Sequence, residues 1–238
     1  MRTAVAQALA AAGRVLAMAQ SGPDGDALGS VLGLMHLLTA RGKEARCHIN
    51  GAVPPEYGFL PGLTALDPGL PGADWPELVV LLDCHEPDRA GQVAAPYLEA
   101  ARRVAVVDHH LGQAQFGDPR WVEPAQAATS QMVAGLAADL GWPLNPAAAT
   151  CLYTGLVTDT GRFCYSNTTP LVLRAAADLV AAGADPWAIT QQAYSTSLER
   201  LKLFGRVLAS LELLAGGRLA LARARQADLA ELGCPPSD

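Results

Sequence analysis

The sequence predicts an α/β fold: a parallel, doubly wound sheet with helices on both faces, followed by a long linker helix. Three observations carry this reading. Apolar runs of strand length alternate with stretches whose apolar residues recur at helical spacing, the pattern of βαβ units. Half of the 238 residues are apolar and 17% are charged, as in a packed globule rather than a disordered or fibrous chain. Three of the strand-like runs end in acidic residues, and doubly wound sheets bind ligands outside the carboxyl ends of their strands.

In chain order, the first strand is read at 14–19, RVLAMA. A helix follows over 26–42, DALGSVLGLMHLLTARG, where Leu28, Leu32, Met35 and Leu38 recur at helical spacing and Gly42 ends the run. Further strands are expected at 44–49 (EARCHI), 77–83 (ELVVLLD) and 103–108 (RVAVVD). Helices are expected at 130–141 and 147–161, then at 168–183, which opens with threonines and Pro170 and closes at Gly183. ADPWAI begins another helix, and SLERLKLFGRVLASLELL, 197–214, reads as one long amphipathic helix. GGRLALARA then reads as a strand with Gly216 and Gly217 as the turn before it. This gives a main domain at 1–185, linker helices at 186–214, and the start of an incomplete second domain at 215–238, a length too short to bury a core.

The net charge of -6 and a pI near 5.3 provide no broad cationic field for duplex nucleic acid. An anionic substrate must therefore meet local positive charge, from side chains or a bound metal. Cys47, Cys84, Cys151, Cys164 and Cys234 are odd in number and form no C-x-x-C pair, which fits a reducing cytoplasm. The Ala-rich first twenty residues superficially suggest a signal peptide, but Gln7 and Arg14 interrupt the apolar run. No apolar stretch reaches the roughly 20 residues that span a bilayer. The protein is expected to be soluble and cytoplasmic.

The acids converge. Asp24 and Asp26 follow the first strand, Asp83 ends the third, Asp108-His109-His110 ends the fourth, and Asp159 stands in GLVTDTGRF. Each alone has a plain explanation: a turn, a solvated histidine pair, a helix cap, a loop carboxylate bonding its own backbone. Together at one edge of a sheet they point to a metal site, because a divalent cation makes it favourable to gather carboxylates and imidazole that otherwise repel or desolvate one another.

With these residues placed, the chain resembles the DHH phosphoesterase superfamily, named for the triplet seen here as Asp108-His109-His110. PDGDALGS, VVLLDCHEPDRAG, VAVVDHH and GLVTDTGRF match in order between residue 15 and about residue 185, and PDGDALGS with ATSQMV is similar to the nanoRNase and 3'-phosphoadenosine-5'-phosphate phosphatase branch. The resemblance implies a Rossmann-like domain carrying two Mn²⁺ ions, with Mg²⁺ or Co²⁺ as substitutes, and a smaller C-terminal substrate domain whose glycine- and histidine-rich loop has no counterpart here. Carried over by residue, it implies that Asp83 bridges the ions, that Asp26, His109 and Asp159 complete one shell, and that Asp24 serves the other. His110 would sit near the leaving or attacking oxygen and Asp108 would steady the imidazoles, both as catalytic residues. Ser30 and Arg89 are the substrate-contact candidates. One departure stands out: where the family's first motif begins with histidine, this chain has Gln20, a poorer ligand, so the Asp24 ion should be held more weakly. His85 could compensate, although a solvent-exposed loop histidine is the favoured reading, and His36 and His48 read as packing or surface residues.

The expected function is manganese-dependent hydrolysis of short oligonucleotides, of 3'-phosphoadenosine-5'-phosphate, or of both, by in-line attack of water between two metals. The alternatives are a nucleotide-binding module with an impaired metal site, and a single-strand-specific exonuclease of the same superfamily, which the lack of a basic, aromatic-rich groove disfavours. The expected partners are a short single-stranded oligonucleotide or a nucleoside bisphosphate, with no duplex DNA and no membrane; pairing into a homodimer is left open.

Overall fold

The computed structural model describes residues 1–66, 70, 72–112 and 115–234, so the last four residues of the expected C-terminal segment lie outside it. The chain divides into two units, Met1–Ala193 and the residues from Tyr194 onward.

The first unit runs α1 (Arg2–Ala11), β1 (Arg14–Ala19), α2 (Gly25–Ala40), β2 (Glu44–His48), β3 (Leu78–Leu82), α3 (Ala95–Ala100), β4 (Val104–Asp108), β5 (Arg120–Val122), α4 (Thr129–Asp139), α5 (Pro146–Asp159), α6 (Pro170–Ala181) and α7 (Pro186–Ala193). The five strands form one parallel sheet in the order β2-β1-β3-β4-β5. All five residues of β3 are buried, as expected of a parallel strand covered on both faces. Alternation along the strands feeds two cores. Val15, Ala17, Val80, Leu82 and Val107 face a large cluster with α1, α2, α4, α5 and α6, whereas Leu16, Met18, Val79, Leu81 and Val106 face a smaller one that takes Tyr97 from α3.

Because β1 connects to β2 on one side and the sheet continues through β3 on the other, the direction of winding reverses between β1 and β3. That reversal opens a crevice at their carboxyl ends. The four expected strands appear there within a residue or so of their sequence bounds.

Helix α2 owes its position to glycine. Gly25, Gly29 and Gly33 recur every four residues and line the face that meets α5. A Cβ on Gly29 would lie 2.4 Å from the carbonyl oxygen of Cys151, one on Gly33 would lie 2.5 Å from Leu152 Cδ2, and one on Gly25 would lie 2.5 Å from Thr158 Oγ1. Each glycine sacrifices about 1 kcal/mol of helix propensity and in return lets the two backbones approach.

One element was not expected and one reading is corrected. The N-terminal residues form α1, whose Val5, Ala6, Ala8 and Leu9 are buried in the large core. In the second unit, the expected helix over 197–214 stops early: α8 spans Leu198–Ala209, and Glu212–Leu214 becomes a strand, β6, paired antiparallel with β7 (Leu219–Leu221). Gly216 and Gly217 take positive φ values of 67° and 83° between them, which allows the chain to reverse and makes pairing available to residues that otherwise continue the helix. The following helix, α9 (Gln226–Leu232), pairs Asp228 and Glu231 with Arg206 of α8 at 3.1 and 2.8 Å. No described helix is long and apolar enough to cross a membrane.

The glycine face of α2 makes a direct prediction. Gly29→Ala drives a methyl into the Cys151 carbonyl and is expected to cost about 1–3 kcal/mol in urea denaturation, whereas Gly205→Ala on α8, with nothing within 4 Å, is expected to be neutral or stabilising. An unchanged stability for Gly29→Ala would show that the helices do not approach this closely.

Candidate metal centre

Asp26 lies in the first turn of α2 and has no solvent exposure. Its carboxylate accepts hydrogen bonds from Thr129 N at 2.6 Å and Ser130 N at 2.9 Å, the first two residues of α4. That helix begins after Ala128, which has no side chain to cap it, so Asp26 satisfies amides that a local serine or aspartate would normally serve. Space for the carboxylate is kept by Gly155 of α5, where a Cβ would lie 2.5 Å from Asp26 Oδ1 and 2.1 Å from Ser130 Oγ. Burial, followed by the nearby charges of Asp83 and Asp159, pushes the Asp26 carboxyl well above the usual range.

Asp83 follows β3 directly and adopts φ 57°, the left-handed region that a non-glycine residue enters at a cost of about 1–2 kcal/mol. Its amide donates to Val107 O at 3.1 Å, and its Oδ1 accepts from Thr129 Oγ1 at 3.2 Å. Burial is the main reason its carboxyl is also raised. Thus the N-terminus of α4 fixes two acids at once, and Thr129 is a positioning residue that the sequence reading missed, although it falls within the ATSQMV segment.

His109 Nε2 faces three carboxylates, at 3.1 Å from Asp159 Oδ2, 3.5 Å from Asp83 Oδ1 and 3.7 Å from Asp26 Oδ2. It is buried and aligned as a hydrogen bond with none of them. Burial alone would lower the imidazole's proton affinity, but the carboxylates of Asp159, Asp83 and Asp26 outweigh it and hold the pKa up at about 11. His110 is half-exposed; its Nδ1 lies 2.8 Å from Asp108 Oδ1 and its amide donates to the same oxygen at 3.1 Å. The hydrogen bond to Asp108 is also the main reason its pKa is raised.

Asp108 is fully buried at the end of β4. Burial would raise its carboxyl, yet the donors of His110 and His85 pull it down to about 2. His85 corrects the favoured sequence reading: it is buried, not solvent-exposed, and its Nδ1 pairs with Asp108 Oδ2. The left-handed turn at Asp83 redirects the chain inward, and Gly112 makes room for the ring, since a Cβ there would lie 1.9 Å from His85 Nε2.

The remaining candidates are placed differently. Asp24 is exposed and caps α2, accepting from Asp26 N at 3.1 Å and Ala27 N at 2.9 Å. Gln20 donates through Nε2 to Asp83 Oδ2 at 3.3 Å and accepts from the exposed Arg89. Ser30 is fully buried and donates its hydroxyl to Ala27 O at 3.2 Å, a placement that serves the helix and offers no surface to a substrate. His36 meets Pro61 O at 3.0 Å, well apart from this cluster in its bonding.

Among the described residues two overlapping groups could hold an ion: Asp26, His109 and Asp159, and Asp83, Asp108, His109 and His110, each with ligand atoms within 4.8 Å of one another. Asp24 belongs to neither. A buried imidazole nitrogen without a hydrogen bond, set among carboxylates, fits a divalent cation of mixed nitrogen and oxygen preference.

At neutral pH the His109 nitrogen carries a proton that an ion must displace. Apparent Mn²⁺ affinity is therefore expected to rise toward tenfold per pH unit between about pH 6 and 8, with proton release visible when calorimetric titrations are compared across buffers. In His109→Ala, binding should weaken and much of this dependence should vanish; a pH-independent wild-type affinity would contradict the electrostatics described here.

Comparison with known proteins agrees with this architecture. Residues 14–156 match the DHH family, N-terminal domain. The chain is 38% identical over 205 residues to a Thermus thermophilus protein named bifunctional oligoribonuclease and PAP phosphatase NrnA, covering 84% of this chain and 60% of that one. It is 31% identical over 199 residues to the Bacillus subtilis protein of the same name, covering 82% and 61%. The chain thus spans about three fifths of the length of these curated relatives. An exopolyphosphatase-related protein from Bacteroides fragilis has the same fold, with a TM-score of 0.90 at 24% identity over 99% of this chain and 72% of that one. The resemblance first carried by four short motifs therefore extends through sequence and fold, and the chain belongs to the DHH family.

Proposed function

We propose that this protein is a divalent-metal-dependent phosphoesterase that hydrolyses very short oligonucleotides and nucleoside bisphosphates of the 3'-phosphoadenosine-5'-phosphate type by in-line attack of water. The observation that carries this reading is the buried His109 nitrogen facing the carboxylates of Asp26, Asp83 and Asp159 at the carboxyl edge of the sheet. The names of the Thermus thermophilus and Bacillus subtilis relatives, oligoribonuclease and PAP phosphatase, support the substrate class.

Asp26, Asp83, His109 and Asp159 would hold the cation. The donor set suits Mn²⁺, with Mg²⁺ or Co²⁺ as substitutes. When bound, such an ion supplies positive charge for the phosphoryl oxygens and acidifies the attacking water. The chain's own residues do the rest. Asp108 engages His110 through Nδ1, which leaves Nε2 free to give a proton to the departing oxygen. The same hydrogen bond to Asp108 raises the proton affinity of His110, the direction a proton donor needs. Asp108 itself touches no substrate in this reading; it orients His110 from one oxygen and His85 from the other. Arg89, exposed on the turn after β3, is the side chain available to a phosphate. The acidic balance of the chain supports a short single strand as substrate and disfavours a duplex, and the free cysteines support a cytoplasmic setting.

Asp83→Ala is expected to abolish turnover of a dinucleotide with a circular dichroism spectrum close to wild type. His110→Ala is expected to lower kcat by roughly 10²–10⁴-fold while the protein still retains metal. Assays on a dinucleotide, a longer oligonucleotide and adenosine 3',5'-bisphosphate, with and without Mn²⁺, check the substrate class. Preference for the long strand would favour the exonuclease reading, and binding without cleavage in the presence of metal would make the protein a nucleotide-binding module.

A further inference from the structure

The loops that follow β1, β2 and β3 are tied together beside the metal centre. Ser21 N donates to Arg89 O at 2.7 Å, Gly22 N donates to Asn50 O at 3.0 Å, and Asn50 Nδ2 donates to Ser21 Oγ at 3.1 Å. Gly91, at φ 85°, packs against the same pair: a Cβ there would lie 2.6 Å from Asn50 Nδ2 and 2.7 Å from Ser21 Oγ. This stitching sets Arg89 against Gln20.

The amide of Gln20 is oriented by its two neighbours. A guanidinium can only donate and an ionised carboxylate can only accept. Arg89 donates to the amide oxygen, so the amide nitrogen is the end turned toward Asp83, at 3.3 Å from Oδ2. Reversing the amide would place oxygen against carboxylate and NH₂ against guanidinium, two repulsive contacts in place of two bonds. At the position where the DHH resemblance implies a metal-binding histidine, this chain therefore presents hydrogen-bond donors, which cannot ligate a cation. What remains on that side is Asp24, an exposed carboxylate already accepting two amides at the start of α2.

We infer that this protein keeps one resident divalent cation, on Asp26, Asp83, His109 and Asp159, and that the Gln20–Arg89 pair stands where a second ion would sit, with Arg89 supplying the fixed positive charge. The inference rests on the phosphoesterase reading of the same site. A guanidinium is charged at every working pH, planar, and able to grip two phosphoryl oxygens at once, so it provides attraction and orientation without needing ligands of its own. Gln20 is then the positioning residue that aims it, and Asp83 receives a neutral donor on one oxygen while its other oxygen faces His109.

The test is metal counting on the full chain, with Mn²⁺ as the probe. Wild-type protein loaded with Mn²⁺ and passed through gel filtration is expected to retain one ion per chain by plasma emission, with the resolved hyperfine lines of an isolated ion in its paramagnetic resonance spectrum. Gln20→His is expected to retain two, with the spectrum collapsing to the broad signal of a coupled pair. Arg89→Met, which releases the amide to turn its oxygen inward, is expected to add a second, weaker binding event to a calorimetric titration, and it serves if Gln20→His folds poorly. Two coupled ions in the wild type would overturn the inference, as would a Gln20→His count that stays at one. A wild type that retains no Mn²⁺, with a titration unaffected by Asp159→Asn, would instead remove the phosphoesterase reading beneath it.

Discussion

A carboxylate without access to water sits where three helices meet. Burying Asp26 costs several kcal/mol unless its charge is met, and the structure meets it with the two free amides at the start of α4. The arrangement is reciprocal: the helix end needs an acceptor and the acid needs donors. It works only because Gly155 leaves room on the α5 side and the glycine face of α2 brings that helix close. Asp159 lies one turn beyond Gly155 on the same helix, so the contact that shelters Asp26 also fixes where Asp159 stands. The packing of the core and the spacing of the ligands are in this sense one constraint.

The same helix end reaches Asp83 through the Thr129 hydroxyl. Asp83 is held in a left-handed conformation at the point where the sheet reverses its winding, and that conformation both aims its carboxylate into the crevice and sends His85 down to Asp108. Three neighbouring acids then differ sharply in proton affinity. Asp108, with histidine donors on both oxygens, is held low, while Asp26 and Asp83 are raised chiefly by burial. Environments that separate like groups in this way divide their roles: Asp108 orients histidines, and the other two are the ligands of the proposed cation.

The sheet and the acidic rim were legible because both rest on short-range signals. Strands buried on two faces must be apolar throughout, and RVLAMA, ELVVLLD and RVAVVD show it. β5 was not legible: three residues give no periodicity, and its place is set by pairing with β4. The turn to β6 was hidden because Leu211, Leu213 and Leu214 suit an amphipathic helix as well as a strand, and the hairpin is decided by Gly216 and Gly217. The departure at Gln20 was visible as a residue type, yet the direction of its amide was not, since this depends on Arg89 in a loop sixty-nine residues away. His85 was misplaced for a similar reason: a histidine after a strand reads as loop surface, and only the backbone of Asp83 turns it inward.

The site's acids and imidazoles project from α2, β3, β4, α5 and the turns that directly follow them, elements rooted in the main core. His109 faces three of these carboxylates, and they hold its proton affinity up. A cation held by these residues would compete with a proton for that nitrogen. The cost of gathering these charges falls on the folding of the core, through the glycines, the uncapped helix and the strained Asp83, and in the proposed function this would leave binding energy for the ion and the phosphate.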